Sequence, residues 1–557
     1  MGSLLRRSFY SSAYGIARCQ KNNLIVRRLQ QTHAALSSIN ETHEPPRNNN
    51  VVPIFRNAIK FGDKTALRDL QGYYTYRGLF LSSRQFAGEL SNILKEGQQE
   101  RIAFLMPNDA RYVIVQWACW MSGQIGSKVV ITTTEFAPLL EPIASKCNCR
   151  LIVLDNALRL LAMKPLPRLA NNRDTDVEYF DESSETPLKD EFYNDSDAMF
   201  VYTSGTTGTP KAVVLTHKNL QSQMNALISA WKWTDKDIVL HTLPLNHIHG
   251  IVNVLMCPLY IGARCVMLPK FETSSVWAQL LAVNLQNPER VNVFMAVPTI
   301  YMMLIQEYEQ LFSKNPKIRE YVHTVCKITG HRLLERYGMT ETGMVLSNPL
   351  EGQRIPGTVG TPLPGVQVRI TGPSSTPEVL VQGSSSGSKV VGKEAKIPVS
   401  GDLQVKGESL FREYFNKPEA TAKEFTSDKW FKTGDTAMYD GNVYSILGRS
   451  SVDIIKTGGY KVSALQVETV ILGHPDIIDC AVVGLPDITW GQKVAAVAVT
   501  REGSEILLHQ IREFAKKSLP DYAVPTVLKI VDKIPKNNLG KVNKPNLLAA
   551  VFPNNKI

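Results

Sequence analysis

The sequence predicts an α/β protein: a large N-terminal domain of mostly parallel sheets flanked by helices, a β-rich subdomain within it, and a small α+β domain at the C-terminus. From Val51 to Gly372, short β-branched runs alternate with longer helical patterns, which is typical of parallel sheets covered by helices. After Gly401, "WFKTGDTAMYDGNVYSILGR" indicates antiparallel strands with a turn at "YDGN". Beyond Arg449, strands alternate with two helical patterns over about a hundred residues, enough for a small domain.

The elements of the large domain follow from individual runs. Two helices are predicted for "PIFRNAIKFG" and "TIYMMLIQEYEQLF", and five buried strands for "RIAFLMP", "SKVVITT", "RLIVLD", "RCVMLP" and "VNVFMAVP". Tyr112–Ser127 is uncharged but carries polar residues and glycines, so it predicts a buried helix and no membrane span. Gly372–Gly401 is rich in Ser, Gly and Lys and predicts an inserted hairpin.

The first forty residues differ in composition from the rest. They hold six basic residues, many serines and no acid, as a mitochondrial transit peptide does. We therefore expect residues 1–45 to be a transit peptide and linker, and the protein to act in the mitochondrial matrix; a disordered basic tail is the alternative. Without these six charges the net charge falls from +11 to +5, so the charge does not indicate nucleic-acid binding and suits small polyanionic ligands.

One loop carries a candidate anion site. The predicted strand "AMFVYTS" runs into "SGTTGTPK", whose glycines allow close backbone approach and whose hydroxyls and lysine suit phosphate. The spacing is not that of a Walker A loop. Alone, such a loop is more often only a loop. The candidate residues are Thr203, Ser204, Gly205, Thr206, Thr207, Gly208, Thr209, Pro210 and Lys211.

Five further segments accompany this loop in order: "LPLNHIHG", "ERYGMTET", "WFKTGD", "GRSSVDIIKTGGYKVS" and "PKNNLGKV". Together they resemble the acyl-adenylate-forming (AMP-binding) superfamily, which includes acyl-CoA synthetases, from about Val51 to the C-terminus. Runs such as "NVFMAVPTIY", "LLERYGMTE" and "VDIIKTGGYKVSAL" are most similar to mitochondrial malonyl-CoA synthetases. The resemblance implies a large domain over residues 46–449 and a small mobile domain over residues 450–557.

The resemblance also implies a reaction in two steps. A carboxylate and ATP give an acyl-adenylate and pyrophosphate, and CoA then gives the thioester. The substrates would be malonate, ATP and CoA, with Mg²⁺ as the cofactor. A nucleic-acid partner and a membrane span are not expected, and the oligomeric state is left open.

For the nucleotide, the resemblance assigns a role to each motif. The stretch from Thr203 to Lys211 would cradle the triphosphate, and Thr340 would bind phosphate. Glu341 would hold Mg²⁺, a hard cation that prefers oxygen ligands, together with Thr206 of the same cradle. The remaining nucleotide residues are Tyr337, which would stack on adenine, Asp435, which would accept the ribose hydroxyls, and Arg449, which would support that sugar.

Lys541 would be the catalytic cation of adenylation, on an element that moves between the two steps. In the second orientation of the small domain, which serves thioester formation, Lys456, Gly458 and Gly459 would let the pantetheine arm of CoA pass. His247 lies where the family places an aromatic gate beside the reacting carboxylate, although a histidine in an apolar loop is more often simply packed.

The acyl pocket needs a cation if the acid is malonate, and a planar arginine suits a carboxylate best. Arg290 and Arg354 are the candidates, each of which could be a surface charge, and Met339 would line the pocket floor. The alternative function is a short- or medium-chain monocarboxylate synthetase.

One departure from the family concerns the stretch near Cys326, where "YVHTVC" runs straight into "KITGHRLLERYG". About two dozen residues, roughly a strand and a turn, are expected there and absent. A shortened isoform, a faulty gene assembly, or a chain with impaired catalysis that acts only as a binding protein would each explain this.

Overall fold

The computed structural model describes residues 51–94, 97, 99–124, 126–163, 188–203, 210–281, 290–314, 333–372, 378–392, 396–536 and 542–553. Four of the sequence predictions lie outside the described residues: the transit peptide, loop residues Ser204–Thr209, the apparent deletion near Cys326, and Lys541.

Between Val51 and Phe312 the described chain alternates strands with helices. Its α-helices are α1 (Ile54–Ala58), α2 (Tyr76–Ile93), α3 (Ala110–Met121), α4 (Ala137–Lys146), α5 (Ala157–Ala162), α6 (Asp190–Tyr193), α7 (His217–Trp231), α8 (Cys257–Tyr260), α9 (Thr273–Leu280) and α10 (Pro298–Glu307). Its strands are β1 (Thr65–Arg68), β2 (Tyr73–Thr75), β3 (Arg101–Leu105), β4 (Gly126–Thr133), β5 (Arg150–Leu154), β6 (Asp197–Thr203), β7 (Lys211–Thr216), β8 (Ile238–His241), β9 (Arg264–Met267) and β10 (Val293–Phe294). A 3₁₀ turn covers Ile59–Phe61, and π-helical turns cover His249–Met256 and Tyr308–Phe312.

Eight of these strands form two largely parallel sheets, as the alternation predicts, whereas β6 and β7 pair antiparallel in a third sheet. Strands β3, β4 and β5 pair in parallel in that order. A second sheet has the order β10-β8-β9-β1-β2, and only the last pair within it is antiparallel. Because parallel strands end at the same edge, the loops after β8 and β10 lie on one side of this sheet.

Helix α3 confirms the buried helix predicted for Tyr112–Ser127, since nearly all of its residues are buried. The side chain of Asp109 caps its first turn by accepting a hydrogen bond from the Arg111 amide at 2.9 Å. None of the helices in the described ranges is both long enough and apolar enough to cross a membrane.

From Arg336 to Arg449 the chain is mainly antiparallel. The strands are β11 (Arg336–Met339), β12 (Gly343–Ser347), β13 (Thr361–Pro362), β14 (Val366–Thr371), β15 (Val379–Ser384), β16 (Gly387–Val390), β17 (Val399–Gly407), β18 (Glu413–Tyr414), β19 (Phe431–Tyr439) and β20 (Tyr444–Arg449), with helix α11 at Pro418–Glu424. The sheet of order β16-β15-β14-β17-β19-β20 is the predicted β-rich subdomain, and β15–β16 is the predicted hairpin. Its β19–β20 turn includes Asp440, Gly441 and Asn442, as "YDGN" predicts.

Residues after Arg449 build the small α+β part. The elements are β21 (Ile454–Thr457), β22 (Tyr460–Ser463), α12 (Ala464–Leu472), β23 (Ile477–Asp487), β24 (Gly491–Thr500), α13 (Leu508–Lys516), a 3₁₀ turn (Asp521–Ala523), β25 (Val527–Ile530) and α14 (Lys544–Val551). The apolar side chains of this part pack into clusters of their own, whereas the preceding residues share one core.

Two buried histidines make the folded state sensitive to acid. Burial lowers the pKa of His217, which packs edge-on against Trp120 and Tyr193, to about 3, and lowers the pKa of His241 to about 4. The unfolded chain takes up these protons near pH 6.5 and the folded chain does not, so this contribution to stability is complete above that pH and is lost as the pH falls towards the folded pKa.

Because of each of these histidines, the equilibrium constant for folding is expected to fall by about tenfold per pH unit below pH 6. Urea unfolding of the wild type and of His217→Phe, measured from pH 7.5 to pH 5, checks this. The variant should lose stability less steeply than the wild type, and parallel curves would contradict the assignment.

Candidate active site

The hairpin formed by β11 and β12 organises the site. Its turn, Thr340–Thr342, joins two antiparallel strands whose register pairs Met339 with Gly343. Gly343 has φ +64°, and a Cβ there would lie 1.7 Å from the side-chain oxygen of Gln223, so the turn requires glycine. Successive residues of a strand point to opposite faces, and Arg336 and Tyr337 therefore serve two different sides of β11.

On one side lies a cluster that suits a nucleoside. The Tyr337 hydroxyl donates to Asp435 Oδ2. The β19–β20 register pairs Asp435 with Arg449, whose Nε lies 3.2 Å from Asp435 Oδ1. Burial and the Asp435 carboxylate raise the pKa of Tyr337 well above its ordinary value, so the phenol stays a donor. The structure thus brings together the three residues predicted for adenine and ribose.

The two ends of the predicted phosphate loop lie side by side. Strands β6 and β7 are antiparallel, and their register pairs Thr203 with Lys211. The chain therefore leaves and returns at one place. Lys211 Nζ lies 4.5 Å from the centre of the Tyr414 ring and 3.5 Å from Glu424 Oε1.

Tyr414 links this loop to the hairpin turn. Its strand, β18, pairs with β7, and its hydroxyl donates to Glu341 Oε1 at 2.9 Å. Glu341 is buried, and this burial raises the pKa of its carboxyl group above the ordinary value. A desolvated carboxylate is stabilised by a nearby cation, so Glu341 fits the oxygen-ligand chemistry of Mg²⁺. Thr340, in the same turn, is half-buried.

On the other side of β11, the Arg336 guanidinium is enclosed by protein. It contacts His249 Nε2 and lies 5.3 Å from the centre of the Trp231 ring. Its Nε is inaccessible to solvent, and within the described residues it has no hydrogen-bond partner and Arg336 no carboxylate partner. Burial lowers the pKa of Arg336, and burial with the Arg336 charge keeps the pKa of His249 well below its ordinary value. A buried cation of this kind calls for an anion.

His247 lies directly before the π-helical turn that carries His249. It is half-buried, and its carbonyl accepts a hydrogen bond from the Ile251 amide at 3.0 Å. Met339 is half-buried at the end of β11 and packs against the main core. Met339 thus shares a strand with Arg336, and His247 lies two residues before His249.

The two arginines proposed from the sequence do not share the surroundings of Arg336 in the contacts that the structure describes for them. Arg354 binds its own loop, with Nε 3.0 Å from the Pro349 carbonyl and Nη2 2.5 Å from the Leu350 carbonyl. Arg290 precedes β10, whose register pairs Val293 with Val239 of β8. It therefore lies towards the amino ends of these strands, whereas His247 follows the carboxyl end of β8.

The residues expected to contact CoA form the β21–β22 hairpin. Gly458 and Gly459 have φ +55° and +83° and make a two-residue turn between Thr457 and Tyr460. A Cβ on Gly458 would lie 2.9 Å from the exposed Trp490 ring. Lys456 is exposed on the same hairpin.

Sequence reasoning missed Arg336 and Tyr414. Arg336 carries a usable signal, because it precedes Tyr337 on a strand and must face the opposite way. Tyr414 carries none, since it reaches the site through the pairing of a two-residue strand with β7.

Comparisons with known proteins identify the family. Residues 54–415 match the AMP-binding enzyme family, and residues 466–541 match the AMP-binding enzyme C-terminal domain. The mitochondrial malonate–CoA ligase ACSF3 of Mus musculus is 41% identical, over 98% of this chain and 97% of its own length. The malonate–CoA ligase of Arabidopsis thaliana is 36% identical over 80% of this chain and 77% of its own.

Among solved structures, ATP-bound MatB from Rhodopseudomonas palustris superimposes with a TM-score of 0.71 at 26% identity, covering 90% of this chain and 99% of its own. A malonyl-CoA ligase complex with methylmalonyl-CoA and AMP gives a TM-score of 0.51 at 26% identity, covering 86% of this chain and 97% of its own. The family match spans more than half of the chain, and the 41%-identical mouse enzyme aligns with 98% of it, so this protein belongs to the AMP-binding enzyme family.

Proposed function

We propose that this protein ligates malonate to CoA through a malonyl-AMP intermediate, giving malonyl-CoA, AMP and pyrophosphate. The observation that carries the proposal is the enclosed Arg336 guanidinium, which lies across β11 from the nucleoside cluster. A dicarboxylate can place one carboxylate on Arg336 and present the other towards the nucleotide. A monocarboxylate would leave the cation without an anion. The curated relatives named malonate–CoA ligases support this choice.

In the first step a malonate oxygen attacks the α-phosphorus of ATP, and pyrophosphate leaves. We assign the nucleoside to Tyr337, Asp435 and Arg449, and the phosphates to Thr340 and the loop from Thr203 to Lys211. Catalysis of this kind depends on positioning and on stabilising the spreading negative charge.

Further groups would complete the adenylation site. Mg²⁺, when bound, would neutralise phosphate charge, and Glu341 is the described residue suited to hold it, with Thr206 as its second predicted ligand. We assign Lys541 to the cation that bridges the reacting carboxylate and the nucleotide, and His247 to the wall beside that carboxylate.

In the second step the CoA thiolate attacks the acyl carbon, the bond between that carbon and the phosphate oxygen breaks, and AMP leaves with the electron pair of that bond. We assign Lys456, Gly458 and Gly459 to the passage of the pantetheine arm. The separate apolar clusters on either side of Arg449 support a boundary between residues 46–449 and 450–557, and rotation of the smaller part would exchange Lys541 for this hairpin.

We further propose that residues 1–45 direct the protein to the mitochondrial matrix. Four curated relatives are named as mitochondrial, and the basic, acid-free start is of the kind that import requires.

The alignment with the mouse enzyme runs over 600 positions, more than the 557 residues of this chain, so that relative carries residues that this chain lacks.

Pyrophosphate release by the purified protein tests the proposed function. The protein is supplied with ATP, Mg²⁺ and, in turn, malonate, methylmalonate, propionate and hexanoate, with CoA present or omitted. We expect release with malonate well above release with propionate. Release driven by hexanoate would instead assign a monocarboxylate synthetase, and no release from a protein that melts cooperatively would assign a binding protein.

A further inference from the structure

We propose that Lys544 is a positioning residue for adenylation, and that it holds the chain beside Lys541 against the turn that joins the two parts of the protein. The inference rests on the proposed function, because it concerns the half-reaction in which Lys541 acts. It adds a residue that the motifs do not assign.

Lys544 is the first residue of α14 and is buried between two carboxylates. Its Nζ lies 2.6 Å from Asp453 Oδ1 and 2.8 Å from Glu468 Oε1. All three side chains are less than a fifth exposed. The two carboxylates belong to different elements, since Asp453 precedes β21 and Glu468 lies in α12. One cation thus fixes the start of α14 to two places in the small part.

The same two carboxylates also bind backbone. Asp453 Oδ2 accepts from the Arg449 amide at 3.0 Å, and Glu468 Oε1 accepts from the Val482 amide at 2.8 Å. Each of the two acids therefore has a backbone contact that does not involve Lys544. The lysine is the group that α14 contributes to this cluster, so its loss is expected to free the start of the helix.

Asp453 connects Lys544 with the nucleoside cluster, because it accepts a hydrogen bond from the Arg449 amide. Its partner Arg449 donates from Nη1 to the Thr433 carbonyl at 2.6 Å and lies 3.2 Å from Asp435 through Nε. A continuous set of contacts therefore runs from the proposed ribose ligand, through Arg449 and Asp453, to Lys544. Lys544 is three residues after Lys541 in the sequence.

The other side of the Lys541 segment is also anchored. Lys536 and Val542 form an isolated antiparallel bridge, and Lys536 Nζ lies 2.7 Å from Asp479 Oδ2. With Lys544 this gives a fixed point on each side of residues 537–541. Replacing Lys544 alone leaves two largely buried carboxylates without their cation, so the charge of Lys544 fixes the geometry at the start of α14, and that is the property a catalytic cation nearby requires.

The test measures the two half-reactions separately in the full-length protein. Adenylation is followed by malonate-dependent exchange between ATP and labelled pyrophosphate, and thioester formation by adding CoA to chemically prepared malonyl-AMP. Lys544→Met is expected to slow adenylation by about thirtyfold, because small displacements of a catalytic group are costly. Thioester formation should stay within about threefold of the wild type. Lys544→Arg should recover most of the exchange.

Lys516→Met is the matched control, because it removes an exposed ion pair, Lys516–Asp521, from the same part of the protein. It should leave both half-reactions unchanged. An equal loss of both half-reactions in Lys544→Met would show a merely structural role and overturn the inference, and so would no loss in either.

Amide hydrogen exchange separates this inference from the proposed function. In Lys544→Met the backbone amides of residues 542–547, other than Pro545, should exchange faster than in the wild type, whether or not an acid is activated. If the wild type activates no acid, the proposed function fails, and unchanged exchange at these amides overturns the positioning role by itself.

Discussion

Replacing Arg336 with methionine is expected to lower kcat/KM for malonate by about 10² to 10³-fold while changing that for propionate by less than about tenfold. Removing one partner of a buried, hydrogen-bonded charge pair costs roughly 2–5 kcal/mol, and about 1.4 kcal/mol corresponds to a factor of ten. Malonate would lose this pair, and propionate never forms it. Steady-state kinetics with the two acids at matched ATP concentrations provide the measurement.

Arg336→Lys is the informative companion variant. It keeps a positive charge but loses the planar fork, so it should retain part of the preference for malonate. Thermal unfolding of both variants shows whether they fold. If Arg336→Met folds and still prefers malonate as strongly as the wild type, Arg336 does not select the acid, and Arg354 and Arg290 become the residues to replace next.

Replacing Asp435 with alanine is expected to raise KM for ATP and to reduce adenylation by about 10²-fold. The change removes the proposed acceptor of the ribose hydroxyls. It also leaves the Arg449 guanidinium without its carboxylate partner and the buried Tyr337 hydroxyl without its acceptor. Losing a charge-assisted hydrogen bond and leaving a buried donor unpaired each cost of the order of 1–3 kcal/mol. Exchange between ATP and pyrophosphate across a range of ATP concentrations measures both effects.

Tyr337→Phe is the control for this prediction. It keeps the ring that would stack on adenine and removes only the hydroxyl that donates a hydrogen bond to Asp435. The rate of adenylation should therefore stay within about tenfold of the wild type. A loss in Tyr337→Phe as large as that in Asp435→Ala would mean that the hydroxyl, and not the carboxylate, organises the nucleoside end.

Much of the fold follows from local pattern. The runs predicted as strands around Arg101, Gly126, Arg150 and Arg264 are strands in the structure, because β-branched residues suit buried parallel sheets. The "VNVFMAVP" run keeps strand pairing only at Val293–Phe294, on the edge of its sheet. A strand with one neighbour gains fewer backbone hydrogen bonds, and apolar composition alone does not reveal that position.

The candidate site was predictable only in part. The motifs placed Tyr337, Asp435 and Arg449 together because each lies in a run with a distinctive sequence. The partners that complete the site, Tyr414 and Arg336, do not lie in runs whose sequence reveals their role. Tyr414 reaches Glu341 through strand pairing between residues that are about 200 positions apart in the chain. Arg336 is selected by the face of β11 on which it stands, which only the packing of His249 and Trp231 reveals.

Transfer of oxygen from the acid to AMP tests the central claim most directly. Malonate labelled with ¹⁸O in its carboxylates is incubated with the purified protein, ATP, Mg²⁺ and CoA, and the AMP is examined by mass spectrometry. If the carboxylate attacks the α-phosphorus, each AMP released with malonyl-CoA carries one ¹⁸O atom. AMP without the label, or label recovered in inorganic phosphate beside ADP, would contradict an adenylate intermediate and with it the roles proposed for Asp435 and Lys541.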